Sequence, residues 1–253
     1  MNEATFHDGL TIGWFVLAAV TFAALFLTAA PYGRHIRGGW GATVSAKLGW
    51  VVMEAPAALV FALCYATGRR TGTITALVFL CLWEVHYVHR AFIYPLQLRG
   101  KDKRMPVSIV GMAFGFNVVN GYLNGRYVFH FSGGYPAEWL RDPRFLTGLG
   151  LFLVGYFINR QADHTLHGLR EPGEAGYRIP EGGLYRWVSC PNYLGEIVEW
   201  FGWATATWSL PGLAFAVWAT ANLAPRAGAN HRWYREQFPN YPSGRKALVP
   251  GLW

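Results

Sequence analysis

A single carboxyl group interrupts one of the long apolar stretches of the chain. Glu54 stands between Trp50-Val-Val-Met and Ala-Pro-Ala-Ala-Leu. A charged side chain at the middle of a membrane-spanning helix costs about 2.5–3.5 kcal/mol on insertion scales. Such a group faces the interior of a helix bundle, pairs with a neighbour or keeps its proton. A helix-packing hydrogen bond would be a purely structural explanation, but the depth of Glu54 favours a functional carboxyl.

The next apolar stretch ends in a run of polar and aromatic residues, Glu84-Val-His-Tyr-Val-His-Arg-Ala-Phe-Ile-Tyr94. At helical spacing Glu84, Tyr87, Arg90 and Tyr94 lie near one face. Tyrosine and arginine also gather where helices meet the membrane surface. That alternative explains Tyr94 better than it explains the density of polar groups in this stretch.

The histidines and cysteines predict neither a metal site nor a disulfide framework. His86 and His89 have an i,i+3 spacing that can bind a metal, but the sequence provides no third ligand. Cys64, Cys81 and Cys190 are an odd number of cysteines without close spacing. We therefore predict no metal in this protein.

Further polar clusters occur at the ends of the later apolar stretches. They are Asn159-Arg-Gln-Ala-Asp163, Arg170, Tyr177-Arg178, Asn192-Tyr-Leu-Gly-Glu-Ile-Val-Glu199 and Arg226-Ala-Gly-Ala-Asn-His-Arg-Trp-Tyr234. Capping of a helix N-terminus could explain Asn192 and Glu196, but it explains Glu199, one turn deeper, less easily. The last cluster could instead be a basic tail that binds lipid phosphates.

Together the clusters predict two ligands of different character. Donors and acceptors at the cytosolic ends of several helices suit a large polar ligand, whereas the deeper carboxyl suits an apolar ligand reached from the bilayer. Gly148-Leu-Gly150 lacks the third glycine of a dinucleotide fingerprint, and the sequence has no Walker loop. A nucleotide would therefore bind by a non-Rossmann route.

The elements that must position these residues are membrane helices. Only 14% of the 253 residues are charged and 53% are hydrophobic, whereas soluble domains carry about 25% charged residues. The net charge of +8 suits anionic lipid or a phosphorylated ligand. Nucleic acid is not predicted as a partner, because the basic residues are not gathered into one soluble module.

Hydropathy predicts an all-α polytopic membrane protein with about seven transmembrane helices. The apolar stretches cover residues 9–30, 48–66, 73–96, 106–123, 145–159 and 197–224. The last exceeds one span, and Leu210-Pro211-Gly212 interrupts it, so we expect two helices joined by a tight turn there.

Loop charges predict the orientation of these helices. Most basic loop residues fall on the side of the C-terminus, so we expect a cytosolic C-terminus and an N-terminus outside, in a bacterial inner membrane or endoplasmic reticulum. The loop from Arg160 to Cys190 combines turn signals with aromatic residues, which predicts an ordered cytosolic cap. We expect one domain, with residues 1–105 as substrate-side helices and 106–253 as the cofactor-binding half.

Several motifs of the sequence resemble the steroid 5α-reductase family, over nearly the whole chain after the first apolar stretch. They are Arg170-Glu-Pro-Gly-Glu-Ala-Gly-Tyr-Arg-Ile-Pro-Glu-Gly-Gly-Leu-Tyr, Asn192-Tyr-Leu-Gly-Glu-Ile-Val-Glu-Trp, Ala206-Thr-Trp-Ser-Leu-Pro, His86-Tyr-Val-His-Arg-Ala-Phe-Ile-Tyr and Tyr241-Pro-Ser-Gly-Arg-Lys-Ala-Leu-Val-Pro. The resemblance implies NADPH-dependent reduction of the C4–C5 double bond of 3-oxo-Δ4 steroids. It also implies an apolar steroid or steroid-like substrate that enters from the bilayer, contact with membrane lipid and a monomeric enzyme.

The resemblance also implies a role for individual residues. Glu54 and Tyr87 correspond to the pair that hydrogen-bonds the 3-carbonyl, with Trp50 and Met53 beside them in the substrate site. The implied cofactor-binding residues are Arg90, Tyr94, Lys101, Asn159, Asp163, Arg170, Tyr177, Arg178, Asn192, Glu196, Glu199, Arg226, His231 and Tyr234.

Four positions depart from the family pattern. Met53 stands where the family often has Gln, Leu98 where Asn is common, Lys101 where Arg is common and Asn230 where His is common. These departures leave the chemistry intact and bear on substrate preference and on some cofactor contacts.

The implied mechanism places two hydrogen-bond donors at the 3-oxygen of the steroid. Hydride addition to C5 of an enone builds negative charge on that oxygen, and donors aimed at it stabilise the charge. Tyr87 is one donor. Glu54 can be the other only when it carries its proton, and an apolar surrounding favours the neutral form of a carboxyl. Basic residues near the cytosolic rim would favour NADPH over NADH.

Three other functions stay open at this point. A related reductase could act on another enone-like lipid, such as an enoyl thioester or an isoprenoid. A membrane methyltransferase of the isoprenylcysteine carboxyl type would bind S-adenosylmethionine and would not need Glu54. A noncatalytic sterol carrier or sensor would bind its ligand without consuming NADPH.

Overall fold

The computed structural model describes residues 2–31, 33–98, 103–169 and 176–253, and most of this chain is helical. The helices are α1 Glu3–Leu27, α2 Ala46–Ala66, α3 Ile74–Val88, α4 Tyr94–Gln97, α5 Val107–Arg126, α6 Pro143–Gly168, α7 Pro191–Thr207 and α8 Leu210–Gln237. A π-helical segment, His89–Ile93, joins α3 to α4, and a second, Tyr127–Phe131, extends α5. Short 3₁₀ turns occupy Gly33–His35, Ala137–Arg141 and Gly183–Arg186, and two strands, β1 Thr43–Ser45 and β2 Arg104–Pro106, pair antiparallel.

Three helical stretches are long and apolar enough to cross a membrane, namely Glu3–Leu27, Ala46–Ala66 and Ile74–Gln97. Large apolar side chains on α1 point away from the protein, and Ile12, Val16 and Phe26 are more than half exposed. Exposed apolar side chains of this kind are unfavourable in water but usual on a helix that contacts lipid. The chain is therefore a helical membrane protein, as the composition predicts.

The remaining long helices coincide with the other predicted apolar stretches. Among the residues that the structure describes, these helices do not reach the length and hydropathy of a span by themselves. Each predicted stretch is nevertheless helical. The count of seven spans stays a prediction.

The break between α7 and α8 lies slightly before the predicted turn. Trp208 adopts a left-handed conformation with φ 47° and ends α7, and Ser209 then accepts a hydrogen bond from Gly212 N at 3.1 Å. Pro211 thus lies in the first turn of α8, where a missing N–H costs nothing. The expectation of two helices is confirmed, but the prediction that Leu210-Pro211-Gly212 forms the turn itself is wrong.

The described chain folds as two compact units. Unit 1 contains Met1–Thr11 and Pro31–Leu146, and unit 2 contains Ile12–Ala30 and Thr147–Trp253. The division into a substrate half and a cofactor half is a statement about function and stays a prediction.

In unit 1 the two strands set the relative depth of α2 and α5. Ser45 pairs with Arg104 immediately before the two helices begin. Ala46 N donates to Lys103 O at 2.8 Å and Val107 N to Ala42 O at 2.9 Å, so each helix starts on a hydrogen bond to the opposite chain segment. Residues that lie two to three turns after the start of α2 are therefore level with those at the same distance along α5.

An aromatic core fixes α3 against α2. Phe61 and Trp83 are fully buried and stack with their ring centroids 4.5 Å apart. The indole N–H of Trp83 donates to the carbonyl of Ala57 at 3.0 Å. This core holds the end of α3 at a fixed distance from the middle of α2.

Unit 2 is organised around glycines that bring α6 and α7 into backbone contact. A Cβ added at Gly155 would lie 2.5 Å from the carbonyl of Gly195, and one at Gly202 would lie 2.7 Å from the carbonyl of Gly148. Small residues at such spacing are typical of tightly packed membrane helices. This contact brings the polar ends of α6 and α7 together.

The C-terminal segment packs against the start of α7 and the second half of α8. Cys190, Ile197, Leu223, Ala227 and Leu248 belong to one buried cluster. Backbone bonds from Lys246 N to Trp187 O and from Ser189 N to Lys246 O, both 2.9 Å, add a short ladder. The last residues of the predicted cytosolic cap, 187–190, are thus held by contacts within unit 2.

Candidate functional site

Glu54 lies half-buried in the middle of α2 and receives a hydrogen bond from α5. Asn117 Nδ2 donates to Glu54 Oε2 at 3.2 Å and to the carbonyl of Met53 at 2.6 Å. Pro56, two residues further along α2, has no N–H to donate to the helix. The amide of Asn117 therefore ties the carboxyl and the adjoining backbone of α2 to one point on α5.

Tyr87 lies at the end of α3 with only 3% of its surface exposed. Its ring contacts those of Trp83 and His86, each with centroids 4.9 Å apart. Asn120 Nδ2 lies 3.5 Å from the phenol oxygen, at the long end of hydrogen-bonding distance. Both Glu54 and Tyr87 thus contact asparagines that are one turn apart on α5.

The sequence analysis missed these asparagines. Asn117, Asn120 and Asn124 are 5%, 0% and 1% exposed, and we call them the asparagine row. The signal was present in Asn117-Val-Val-Asn-Gly-Tyr-Leu-Asn124, because polar residues at i, i+3 and i+7 share one helix face. Burial of an amide in an apolar helix without a hydrogen-bond partner costs free energy, as burial of a carboxyl does.

Arg90 and Tyr94 lie beside Trp50. The guanidinium of Arg90 lies 4.6 Å from the Trp50 ring centroid and 4.8 Å from that of Tyr94, and the two rings meet edge to face at 5.0 Å. Arg90 belongs to the π-helical segment His89–Ile93, and Tyr94 follows it directly. Segments of this type are frequent at functional sites.

Glu84 and Met53 complete the predicted residues of unit 1. Glu84 is half-buried, and its Oε1 makes no hydrogen bond within the described residues. Met53 is buried against Met105 and Val110, and its backbone carbonyl, not its side chain, contacts the asparagine row. Leu98 ends α4 in an extended conformation.

In unit 2, four predicted cofactor residues form an amide–carboxylate cluster, Asn159, Asp163, Asn192 and Glu196. Asn159 Nδ2 donates to Asn192 O at 3.0 Å and lies 3.5 Å from Glu196 Oε2, while Asn192 Nδ2 donates to Asp163 Oδ1 at 3.3 Å. The capping explanation for Asn192 is wrong: Cys190 is the N-cap of α7, and the Asn192 amide reaches across to α6.

Glu199 lies one turn deeper in α7 than Glu196. It is completely buried, and its backbone adjoins Gly155 of α6. A fully buried carboxyl at this position cannot serve as an N-terminal cap.

Arg226 of α8 lies against Tyr193. Its Nη2 donates to the Tyr193 hydroxyl at 3.1 Å, and its guanidinium lies 5.1 Å from the ring centroid. Asn230 Nδ2, one turn along, lies 3.5 Å from the same hydroxyl and 3.7 Å from Cys190 Sγ. Asn230, one of the four residues that depart from the family pattern, is thus buried and hydrogen-bonded.

His231 and Tyr234 belong to a second hydrogen-bonded group on α8. Ser189 Oγ lies 2.6 Å from His231 Nδ1 and 2.6 Å from the Tyr241 hydroxyl, and the rings of Tyr234 and Tyr241 stack at 5.3 Å. Burial lowers the pKa of His231 below its usual value, and the nearby positive charges, led by Arg235, lower it further.

The remaining predicted residues lie at the surface or outside the described chain. Tyr177 is 41% exposed and its ring meets that of Trp233 edge to face at 4.8 Å, and Arg178 is exposed. Lys101 and Arg170 lie outside the described residues. Within the described ranges, no three His, Cys, Asp or Glu side chains are grouped as metal ligands.

The two units offer complementary chemistry. Unit 1 holds a carboxyl and a phenol in an aromatic, poorly hydrated surrounding, which suits polarisation of a carbonyl on an apolar ligand. The amide–carboxylate cluster of unit 2 suits hydroxyl groups, and the Arg226 guanidinium suits a phosphate. These donor types fit the sugars and phosphates of a dinucleotide.

Comparison with known proteins gives consistent matches. Residues 103–253 match the family model described as 3-oxo-5-alpha-steroid 4-dehydrogenase. Steroid 5-alpha-reductase DET2 of Gossypium hirsutum is 43% identical, and 3-oxo-5-alpha-steroid 4-dehydrogenase 1 of Bos taurus 42% identical, each over 100% of this chain and 99% of the relative. The human protein of the latter name is 42% identical over 93% of this chain and 91% of its own length. The chain therefore belongs to the 3-oxo-5-alpha-steroid 4-dehydrogenase family of oxidoreductases.

Proposed function

We propose that this enzyme uses NADPH to reduce the C4–C5 double bond of 3-oxo-Δ4 steroids. The names of the relatives refer to 3-oxo-5-alpha-steroids. The observation that carries the proposal is the convergence of Glu54 and Tyr87 on one face of α5, inside an apolar helix bundle.

The two side chains act on the 3-carbonyl oxygen of the steroid. The Tyr87 hydroxyl donates one hydrogen bond, and protonated Glu54 donates the second. Because Asn117 donates to Oε2 of the carboxyl, the proton of a neutral Glu54 belongs on Oε1. Removal of one donor to a developing oxyanion costs about 100- to 1,000-fold in kcat in well-studied enzymes.

The environment of Tyr87 strengthens this interaction. The residue is 3% exposed and packs on Trp83 and His86. In such a surrounding water competes little for the steroid oxygen, and each hydrogen bond is electrostatically stronger than in water.

Unit 2 is the proposed cofactor-binding region. Bound NADPH would supply the hydride that reaches C5. The amide–carboxylate cluster would hold ribose hydroxyls, with Glu199 at its deeper end, and Arg226 would pair with a phosphate. Additional cofactor contacts are proposed for Arg90, Tyr94, Lys101, Arg170, Tyr177, Arg178, His231 and Tyr234. The basic cytosolic rim supports a preference for NADPH over NADH.

We further propose seven transmembrane helices, an N-terminus outside and a cytosolic C-terminus. The uneven distribution of basic loop residues supports this orientation. The steroid would enter from the bilayer, beside Trp50 and Met53, and the enzyme would act as a monomer surrounded by lipid.

The proposal is tested by NADPH oxidation in detergent-purified protein supplied with progesterone, with mass spectrometry of the product. We expect one 5α-dihydro product per NADPH oxidised. NADPH binding without turnover would point to a different enone-like lipid. Absence of NADPH binding would contradict the proposed reductase. It would favour a methyltransferase that binds S-adenosylmethionine or a noncatalytic sterol carrier.

A further inference from the structure

A buried guanidinium in the C-terminal segment has no negatively charged partner among the residues that the structure describes. Arg245 is 6% exposed, and its Nε and Nη1 atoms make no hydrogen bond there. The guanidinium lies 5.2 Å from the ring centroid of Tyr241. Buried charges in proteins are normally paired, because a charge removed from water without a partner is costly. Arg245 therefore has the properties of a group that binds an anion.

We propose that Arg245 binds a phosphate monoester, and that this phosphate is the one that distinguishes NADPH from NADH. This inference rests on the proposed function and names a residue that determines cofactor specificity. A guanidinium is always charged, and its planar set of N–H donors matches the oxygens of a phosphate. The sequence analysis placed Arg245 in a family motif and assigned it no role.

The fold holds Arg245 in place before any ligand binds. Its backbone N–H donates to Pro242 O at 3.2 Å and closes a turn, and Lys246 N donates to Trp187 O at 2.9 Å. The Tyr241 ring beside the guanidinium is fixed through its hydroxyl, which lies 2.6 Å from Ser189 Oγ. A side chain that is already ordered loses little conformational freedom when it binds.

The charge of this part of unit 2 suits a ligand with two negative charges. Between residues 226 and 246 the sequence has five Arg or Lys residues and one acid, Glu236. Burial lowers the pKa of His231, and the charges of Arg235, Lys246 and Arg232 lower it further, so these cations lie around it. A surface with charge of one sign raises the local concentration of the opposite ion.

A chain of polar contacts connects this region with the proposed ribose and phosphate residues. Ser189 contacts both Tyr241 and, at 2.6 Å, His231 Nδ1. Cys190, the next residue, accepts a contact from Asn230 at 3.7 Å and lies two residues before Asn192 of the amide–carboxylate cluster.

The two guanidinium groups of this chain of contacts occupy different places along it. Arg226 shares the Tyr193 hydroxyl with Asn230, whereas Arg245 lies beyond Ser189, on the ring of Tyr241. NADPH carries phosphate at two separate places, the pyrophosphate between its riboses and the extra phosphate on the adenosine ribose. Two guanidinium groups separated by neutral polar side chains suit such a ligand.

A purely structural arginine would be explained by the contact with Tyr241 alone. That contact uses the charge of the guanidinium over the ring face and leaves the N–H donors in its plane unused. Buried donors without acceptors cost free energy. An anion that accepts from them accounts for both the charge and the donors of Arg245.

The test compares Arg245→Gln and Arg245→Lys with the unmodified enzyme. Arg235→Gln is the matched control, because Arg235 is an exposed arginine of α8 that acts on the same histidine. Isothermal titration of the detergent-purified proteins without steroid gives the Kd for NADPH and for NADH. Melting temperatures are measured in the same detergent.

We expect Arg245→Gln to weaken NADPH binding about 10- to 100-fold, the usual effect of losing a hydrogen-bonded partner of a charged group. NADH binding should stay the same, because NADH lacks the phosphate in question. Arg245→Lys should lie between, since lysine keeps the charge and lacks the planar donors. It takes the place of the glutamine variant if that variant does not fold. Arg235→Gln should keep the ratio of the two Kd values, because an exposed charge is screened by salt.

Two adenosine fragments identify the phosphate that Arg245 binds. Adenosine 2′,5′-bisphosphate should displace NADPH from the unmodified enzyme more effectively than adenosine 5′-monophosphate. This advantage should disappear in Arg245→Gln. An advantage that persists in the variant would mean that another residue binds the extra phosphate.

Two further results would overturn the inference while leaving the proposed function intact. Equal weakening of NADPH and NADH binding in Arg245→Gln would show a structural role. Unchanged binding of both cofactors would show that the anion at Arg245, such as a lipid phosphate, does not belong to the cofactor. An unmodified enzyme that does not bind NADPH would contradict the proposed function itself, and this inference with it.

Discussion

At the scale of the residue, the charge state of one carboxyl carries the proposed mechanism. Glu54 is half-buried in α2, and a hydrogen bond from Asn117 reaches one of its oxygens. An ionised carboxylate could only accept hydrogen bonds and would repel the negative charge that develops on the steroid oxygen. Glu54 therefore has to be neutral in the proposed reaction.

Substitution of Glu54 tests this requirement. Glu54→Ala removes a donor to the developing oxyanion and is expected to lower kcat by about 100- to 1,000-fold. Glu54→Gln keeps an N–H donor and is expected to retain more activity than the alanine variant. Steady-state NADPH oxidation with progesterone measures both. Normal turnover in both variants would show that Glu54 has no such role.

His231 gives a prediction on pH that concerns stability rather than catalysis. It lies beyond the predicted end of the last span, and burial followed by the charges of Arg235, Lys246 and Arg232 lowers its pKa below the ordinary value of 6.5. The unfolded chain therefore takes up a proton first as the pH falls through about 6.5. The free energy of unfolding should therefore decrease as the pH falls below about 6.5. Above that pH the contribution of neutral His231 to stability should be complete.

The matching variant is His231→Gln, which cannot titrate in this range. When the pH is lowered from 7.5 to below 6.5, the melting temperature of the unmodified protein should fall more than that of the variant. Parallel pH dependences of the two proteins would mean that His231 is not the group responsible.

Sequence reasoning found the charged and aromatic members of the site and missed the amides. Glu54 and Tyr87 stand out because a carboxyl and a cluster of polar rings are conspicuous in apolar stretches. Asn117, Asn120 and Asn124 carry no charge, and the sequence alone does not say whether an asparagine faces lipid, a neighbour or a ligand. Their significance becomes visible only when α5 is packed against α2 and α3.

At the scale of the element, the α6–α7 contact is expected to be the most sensitive packing feature of unit 2. The glycines at 148, 155, 195 and 202 allow backbone contact, and this contact aligns Asn159 with Asn192. A single methyl group at these positions would separate the helices and disturb the amide–carboxylate cluster.

Gly155→Ala tests this feature, with Gly150→Ala as its matched control on the same helix. A Cβ at Gly155 would lie 2.5 Å from Gly195 O, whereas a Cβ at Gly150 meets nothing within 4 Å. We expect Gly155→Ala to destabilise the fold by about 1–3 kcal/mol or more, as overpacking does. Gly150→Ala should be neutral or slightly stabilising.

Thermal unfolding in detergent and NADPH affinity measure the two variants. Gly155→Ala should lower both, and Gly150→Ala neither. Equal behaviour of the two alanine variants would show that the close approach of α6 and α7 is not required.

The helices were predictable from hydropathy, but their boundaries and irregularities were not. The apolar stretch at 145–159 became α6 Pro143–Gly168, because polar residues continue a helix once its apolar part is packed. The π-helical segment His89–Ile93 has no signature in the sequence and occurs where Arg90 packs against the rings of Trp50 and Tyr94. Proline at 211 was interpreted as a turn residue although it also suits the first turn of a helix.

At the scale of the whole molecule, composition predicts the membrane and loop charge predicts the orientation. The structure contains three helical stretches that meet the requirements of a span by length and composition. Among the described residues, the other long helices do not meet these requirements, so the count of seven spans stays a prediction. The fold does not reveal which side of the membrane each terminus faces, so the orientation of the chain needs its own experiment.

Single cysteines on opposite sides test the proposed orientation. Ala137 and Ser243 are both exposed, the first between α5 and α6 and the second in the C-terminal segment. In intact cells a membrane-impermeant maleimide should label Ala137→Cys and should label Ser243→Cys only after the membrane is opened. Because Cys81 is also exposed, its alanine variant is the background for both. The reverse labelling pattern would invert the proposed topology.

The central claim is the transfer of a hydride from NADPH to C5 of a 3-oxo-Δ4 steroid. Its most direct test uses NADPH that carries deuterium at the transferable position of the nicotinamide, with progesterone as substrate, and locates the label in the product by NMR and mass spectrometry. The account predicts one deuterium per product molecule, attached to C5 on the α face. A reduced product without deuterium at C5, or with the label at another carbon, would contradict it.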